Sequence, residues 1–240
     1  MTSRNSSWKS DFAAGASGPE TEKTKRTTEF GNRRGPIPLL PAGQDYLWGG
    51  RRLRDDFSKD IPLTPLAETW ECSTHPDGLS LLAEDPDKTL HELLQENPWM
   101  FGTHPAKSMP EAVKKGELPV LIKFIDAASD LSVQVHPDDA YAREHENGQL
   151  GKSEMWYVVD AAPGAKLVYG FSHDMDRERV REAAQNGTLE KHLQRVPIRK
   201  DDVFFIPAGT VHAIGGGSLI AEVQESSNLT YRLYDYHRIG

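Results

Sequence analysis

Cysteine is nearly missing from this chain: of 240 residues only Cys72 carries a thiol. One thiol excludes an internal disulfide, which fits a reducing, cytoplasmic setting. A lone thiol can act as a nucleophile, but the alternation in Thr69-Trp70-Glu71-Cys72 reads as a small buried hydrophobe. Long apolar runs are missing too. None approaches the ~18 residues that a membrane span needs, so no membrane association is expected. The first residues lack the apolar stretch of a secretory signal. Positive charge is scarce: 28 Lys and Arg stand against 36 Asp and Glu, for a net charge of -8. No basic block exceeds Lys23-Lys25-Arg26 or Arg33-Arg34, which argues against nucleic acid as a partner, since that needs a cationic surface. A phosphate ester can still bind to an acidic protein wherever a few cations converge.

The length allows one or two domains with a real core, and 37% hydrophobic with 27% charged residues describes a soluble globular chain. Residues 1–35 are rich in Ser, Thr, Gly and charge without periodicity, and are expected to form a disordered extension. The folded domain, 36–240, begins at Pro36-Ile37-Pro38-Leu39-Leu40. Short helices are expected from Leu90 to Asn97, stopped by Pro98, and from Glu111 to Lys115 after Pro110. Strand signals then dominate. Val120 to Ile125 is largely apolar, and Leu131 to His136 alternates strictly. Met155 to Val159, Lys166 to Phe171, Val203 to Ile206, Leu219 to Val223 and Leu229 to Tyr236 continue the series. A helical excursion, Arg177 to Ala184 and Leu189 to Leu193, is broken at Asn186-Gly187. Many short strands with Gly/Pro turns indicate a mainly β fold, a β-barrel or jelly roll with a few short helices inserted.

Within the alternating strand, Gln134 and His136 project from one face while Val133 and Val135 occupy the other. Pro137 ends that strand, and Asp138-Asp139 can cap a following helix. Eighteen residues after His136 stands Glu154, a carboxylate opening an apolar strand, where it is costly without a partner. Fifty-eight residues further on, the turn Pro207-Ala208-Gly209-Thr210 reverses the chain just before His212. Two imidazoles, a carboxylate and an amide oxygen make a plausible metal site with positions open to water or substrate oxygens. Each piece has a plainer reading: a hydrogen-bonded turn histidine, a routine strand glutamine, a Glu154–Lys152 ion pair. It is the three segments together that favour the metal.

Gln134-Val135-His136-Pro137-Asp138-Asp139, Gly151-Lys152-Ser153-Glu154-Met155-Trp156-Tyr157 and Pro207-Ala208-Gly209-Thr210-Val211-His212-Ala213-Ile214 resemble the short bacterial class of type I mannose-6-phosphate isomerases. Upstream, Leu47-Trp48-Gly49-Gly50-Arg51-Arg52-Leu53 and Ala67-Glu68-Thr69-Trp70-Glu71-Cys72-Ser73-Thr74-His75-Pro76 extend the resemblance. Downstream, the run from Glu222 to Asp235 does the same, so that it covers roughly 36–238. The resemblance implies a cupin-like jelly-roll β-barrel with one Zn2+ per chain held by His136, Glu154, His212 and Gln134. It implies a catalytic role for Arg232, places Lys152 near the substrate, and puts Trp48, Glu68 and Asn228 in the pocket. The activity implied is the interconversion of mannose 6-phosphate and fructose 6-phosphate through a cis-enediol, with a phosphorylated hexose as partner; no oligomeric state follows.

Plainer readings apply here also: Arg232 as a solvated strand residue, Lys152 as a surface ion pair, Trp48 as core. Two departures stand out. Asn228 is a neutral amide where many relatives have Asp, and the chain ends at Gly240 where relatives continue into a second small β-domain, expected to be absent here. Alternatives are another metal-dependent cupin enzyme, since two His and one carboxylate also suit iron, and a non-catalytic module that binds sugar phosphates.

Overall fold

The computed structural model describes residues 35–236 and Arg238. The extension expected to be disordered therefore lies, but for Gly35, outside the described residues. In chain order the elements are β1 (Leu39–Leu40), β2 (Ala42–Gln44), α1 (Arg52–Asp55), β3 (Glu68–Cys72), β4 (Leu81–Leu82), β5 (Asp85–Thr89), α2 (Leu90–Glu96), α3 (Thr103–Ser108) and α4 (Pro110–Lys115). There follow β6 (Val120–Ala127), β7 (Val133–Val135), α5 (Asp139–His145), β8 (Glu154–Ala161), β9 (Lys166–Phe171), α6 (Arg177–Gln185), β10 (Leu193–Pro197), β11 (Val203–Ile206), β12 (His212–Ile214), β13 (Ser218–Glu225) and β14 (Tyr231–Tyr234).

The expected mainly β fold is present. One sheet has the order β11-β8-β13-β6-β3-β2 and another β10-β9-β12-β7-β14, and every ladder is antiparallel. Ile125, Trp156, Val158, Ile206 and Ile220 of the first sheet share one buried cluster with Leu167 and Ile214 of the second, so the two sheets face each other across a common core. Burying each of these side chains contributes about 1.5–3 kcal/mol. The expected barrel is not closed: among the described residues no ladder joins the two sheets. A small third sheet, β1-β4-β5, lies beside α2.

The five-stranded sheet is covered on its other face as well. Val133, Val168, Leu193 and Ala213 pack there against Ala183 and Leu189 of the α6 excursion. This layering explains the period of two in β7: Val133 points outward to α6, and Gln134 points inward. The expected strand from Leu131 to His136 shortens to Val133–Val135, and that from Leu229 to Tyr236 shortens to Tyr231–Tyr234. The second carries a register shift between Arg232 and Tyr234. Leu233 and Tyr234 of β14 pack into the outer cluster rather than lying bare, while Tyr231 is exposed.

Local signals act as expected at the helix starts. Thr89 and Glu92 form a reciprocal capping box on α2, and the Asp138 carboxylate accepts from Tyr141 N at the start of α5. Gly151 is required by a close approach: a Cβ there would lie 2.5 Å from the backbone carbon of Asp138. That approach holds the start of β8 against the turn that follows β7. Gly209, with φ +85°, makes the turn that delivers β12 to the same end of the fold.

Candidate metal and substrate site

Three strands bring the expected ligands to one point. His136 follows β7, Glu154 opens β8 and His212 opens β12. His212 is the cross-strand partner of Gln134, and Gln134 is in turn the partner of Arg232. One ligand atom from each of His136, Glu154 and His212 lies within 4.8 Å of the others, and all three residues are buried. His136 Nε2 stands 3.1 Å from Glu154 Oε1, and His212 Nε2 stands 3.6 Å from Glu154 Oε2. The Gln134 amide lies 3.4 Å from His212 Nε2. Turning that amide over would present its oxygen at the same point.

The residues fit a metal ion on three counts. Both imidazoles face backbone carbonyls through Nδ1: His136 donates to Leu229 O at 2.8 Å and His212 to Thr210 O at 2.8 Å. Carbonyls only accept, so the proton of each neutral ring sits on Nδ1 and the Nε2 lone pairs turn to the centre. This is how neighbouring groups commonly orient metal-ligating histidines. Next, His136 Nε2 and both oxygens of Glu154 are buried without a hydrogen bond, an arrangement costly enough to call for a partner. Lys152 Nζ comes to 2.9 Å from Glu154 Oε1, so the pair attracts electrostatically but does not satisfy the carboxylate by a well-formed hydrogen bond.

Protonation agrees. Burial, followed by the Lys152 charge, pushes His136 down to about 4, and burial lowers His212. Burial alone would raise Glu154, but Lys152 and the two imidazoles outweigh it and hold the carboxyl well below its usual range. Neutral imidazoles and an ionised carboxylate are the forms that ligate.

A cavity of about 240 Å³ opens beside this cluster, and Trp48, Glu68, Lys152, Asn228 and Arg232 all line it together with Gln134 and Glu154. The expected pocket residues are thus brought together. Trp48 is half-buried, with its ring stacked on Tyr46 at 5.4 Å. Asn228 donates to Asp77 Oδ2 at 2.8 Å. Arg232 is exposed, as its plainer reading held, yet it lies on the cavity wall. Lys152 is 4% exposed, which rules out a surface ion pair. Cys72 is half-buried, and burial raises its thiol, as a small packing residue would behave.

Lys123 and Glu222 escaped the sequence reading. They are direct cross-strand partners on β6 and β13, both buried and both lining the cavity. Lys123 Nζ stands 3.3 Å from Glu68 and 3.3 Å from Glu222. Trp70 Nε1 donates to Glu68 at 2.7 Å and Trp156 Nε1 to Glu222 at 2.6 Å. Although burial opposes it, Glu222 and Glu68 keep Lys123 above its ordinary range. Burial, then the Glu154 charge, raises Glu222. The signal was present in the sequence: a charge inside each of two otherwise apolar runs, Val120 to Ile125 and Leu219 to Val223.

The model of the phosphomannose isomerase type I catalytic domain matches residues 37–160. The chain belongs to the type I phosphomannose isomerase family. A mannose-6-phosphate isomerase of Streptococcus mutans is 43% identical over 205 residues, covering 85% of this chain and 61% of that protein. The crystal structure of the mannose 6-phosphate isomerase from Bacillus subtilis superposes with a TM-score of 0.77 at 39% identity, over 86% of this chain and 63% of that one. A further family structure, a mannose 6-phosphate isomerase bound with zinc and yttrium, shares the fold at 19% identity and a TM-score of 0.62, covering 85% of this chain and 71% of that one. The chain thus spans less than two thirds of the length of the relatives it matches at about 40% identity.

Proposed function

We propose that residues 36–240 form the catalytic domain, of cupin-like jelly-roll type, of an aldose–ketose isomerase that interconverts mannose 6-phosphate and fructose 6-phosphate. One zinc ion would be held by His136, Glu154 and His212, with the Gln134 amide as a further ligand. The observation that carries the reading is the set of lone pairs turned to one point: two imidazole Nε2 atoms and a buried carboxylate that has no hydrogen bond and lies on the wall of a cavity lined by Lys123, Lys152 and Arg232. Two imidazoles and a carboxylate suit zinc, and family membership makes it the natural choice.

The reaction removes a proton alpha to a carbonyl and returns it to the neighbouring carbon, through a cis-enediol with charge on two adjacent oxygens. When bound, the metal supplies a Lewis acid for that charge. The rest falls to the chain. Lys152 fixes a positive charge beside Glu154, where substrate oxygens would gather, and adds electrostatic stabilisation as charge develops. Arg232 presents a planar fork at the cavity wall that can hold a pair of oxygens, on the phosphate or on the enediol. Trp48, stacked on Tyr46, offers an apolar face to the sugar. Glu68 and Glu222, both tied to Lys123 and to an indole N–H, form a fixed polar floor that needs no rearrangement during the reaction. Binding the remote phosphate holds the reacting carbons in place.

The test is a coupled assay converting mannose 6-phosphate to fructose 6-phosphate, run before and after chelation and after zinc is returned. Turnover lost to the chelator and restored by zinc supports the reading. Zinc and phosphosugar binding without isomerisation would favour a binding module instead, and oxygen consumption with bound iron would favour a different enzyme.

A further inference from the structure

A second pair of imidazoles lies away from the cluster described above, at the two ends of the α6 excursion. His173 follows β9, His192 precedes β10, and both line a cavity of about 360 Å³ under α6. His173 Nε2 and His192 Nδ1 are 3.2 Å apart, with ring centroids 5.1 Å apart and planes inclined at 67°. Two nitrogens each 2.0–2.1 Å from one tetrahedral zinc ion are separated by about 3.3–3.4 Å; at the right angle of a square-planar ion they would be about 2.8–3.0 Å apart. The observed spacing is that of a hydrogen bond between the rings, and it lies within about 0.2 Å of the tetrahedral separation, so both nitrogens can reach one ion with little movement.

Hydrogen bonding sets the state of one ring. Ser172 Oγ lies 3.1 Å from His192 O and 3.1 Å from His173 Nδ1. The hydroxyl has one proton and the carbonyl only accepts, so Ser172 donates to His192 O and receives the His173 Nδ1 proton. That leaves the His173 Nε2 lone pair facing His192. A ring whose far nitrogen donates to a neighbour while the near one stays bare is the usual disposition of a metal-bound histidine. Without metal, His192 Nδ1–H fills that lone pair. With metal, the His192 proton moves to its other nitrogen and both near nitrogens ligate. Glu182, an exposed carboxylate of α6 on the same cavity, and water are available for the remaining positions; Arg179, 3.7 Å from Asp176, is the cation beside them.

We propose that His173 and His192 form a second binding site for a divalent transition metal of zinc type, weaker than the buried cluster because the chain presents two preset ligands there and not three. Bound metal ties the segment after β9 to the turn before β10 and so closes the base of the α6 excursion. The site is independent of the isomerase reading and stands or falls without it.

The experiment dialyses the zinc-loaded full chain against rising free Zn2+ and counts metal per chain. Wild type takes up a second equivalent after the first. His173→Ala with His192→Ala keeps the first and loses the second, whereas His212→Ala loses the first and keeps the second. Tryptic cleavage at Arg177, Arg179 and Arg181 slows several-fold at saturating zinc in wild type and is unchanged by zinc in the double variant. Both rings are at the surface, and unchanged urea midpoints in chelator confirm that the double variant folds. A double variant that takes up as much zinc per chain as wild type, or cleavage indifferent to zinc in wild type, overturns the proposal.

Discussion

Replacing Lys123 with Met should expose how far the cavity floor depends on one cation. The ammonium stands 3.3 Å from each of two buried carboxylates, Glu68 at 5% and Glu222 at 2% exposure. At that distance, with an effective dielectric near 20, each pair attracts by about 5 kcal/mol. Burying the charges offsets most of that sum, but removing only the cation leaves both carboxylates buried without it, at a net cost of about 3–5 kcal/mol. With a urea slope near 2 kcal/mol/M, the midpoint falls by about 2 M at neutral pH in chelator.

The gap between wild type and variant should also depend on pH in both directions. Lys123 is raised in the fold, so its contribution is complete below the unfolded lysine value near 10.4 and declines as pH rises beyond it. Glu222 is raised by burial and Lys123 holds that rise back, so without the cation the variant's penalty is present above the unfolded carboxylate value near 4.3 and fades as pH falls toward it. Combining Lys123→Met with Glu222→Gln should recover at least half the loss, because the amide oxygen can still accept from Trp156 Nε1. A single variant within 1 kcal/mol of wild type, or a gap flat from pH 5 to 11, would refute the reasoning.

Three further outcomes follow from the same geometry. His212→Ala should lower zinc affinity by at least a hundredfold and abolish isomerisation with it, as read by metal content after dialysis and by the coupled assay; retained zinc with normal turnover rejects that ligand. Arg232→Lys keeps the charge but loses the fork, so kcat/KM for mannose 6-phosphate should fall about 10–100-fold while zinc content stays at wild-type level. Cys72, half-buried with a raised thiol, should react with a thiol reagent at pH 7 more slowly than free cysteine does, and much faster labelling in the folded protein would contradict its packing role.

The sequence was most legible where side-chain period and turn chemistry act locally. The limits of β9 and β11, Lys166–Phe171 and Val203–Ile206, follow from apolar runs closed by Gly or Pro, and α2 is delimited by Thr89 and Pro98. The short strands β1, β2, β4, β5, β10 and β12 were not foreseen. Two to five residues carry too little period, and these strands exist because a neighbouring strand pairs with them. The metal-capable trio was legible for a different reason: His136, Glu154 and His212 each sit next to a strong local punctuator, Pro137, Gly151 or Gly209, so their strand ends could be placed without knowing the sheet.

Lys123 and Glu222 show what a residue-by-residue reading misses. Taken alone, each is one charge in an apolar run, Val120 to Ile125 or Leu219 to Val223, and reads as an outward side chain. Their meaning comes from register: β6 and β13 pair so that residue 123 faces residue 222, and β3 adds Glu68 from the other side of β6. A shift of one residue in the β6–β13 ladder would turn Lys123 and Glu222 to opposite faces of the sheet, and the same shift in the β3–β6 ladder would part Lys123 from Glu68. Pairing between two strands ninety-nine residues apart is therefore fixed by charge as well as by apolar packing, and the same register that stabilises the sheet builds the floor of the site.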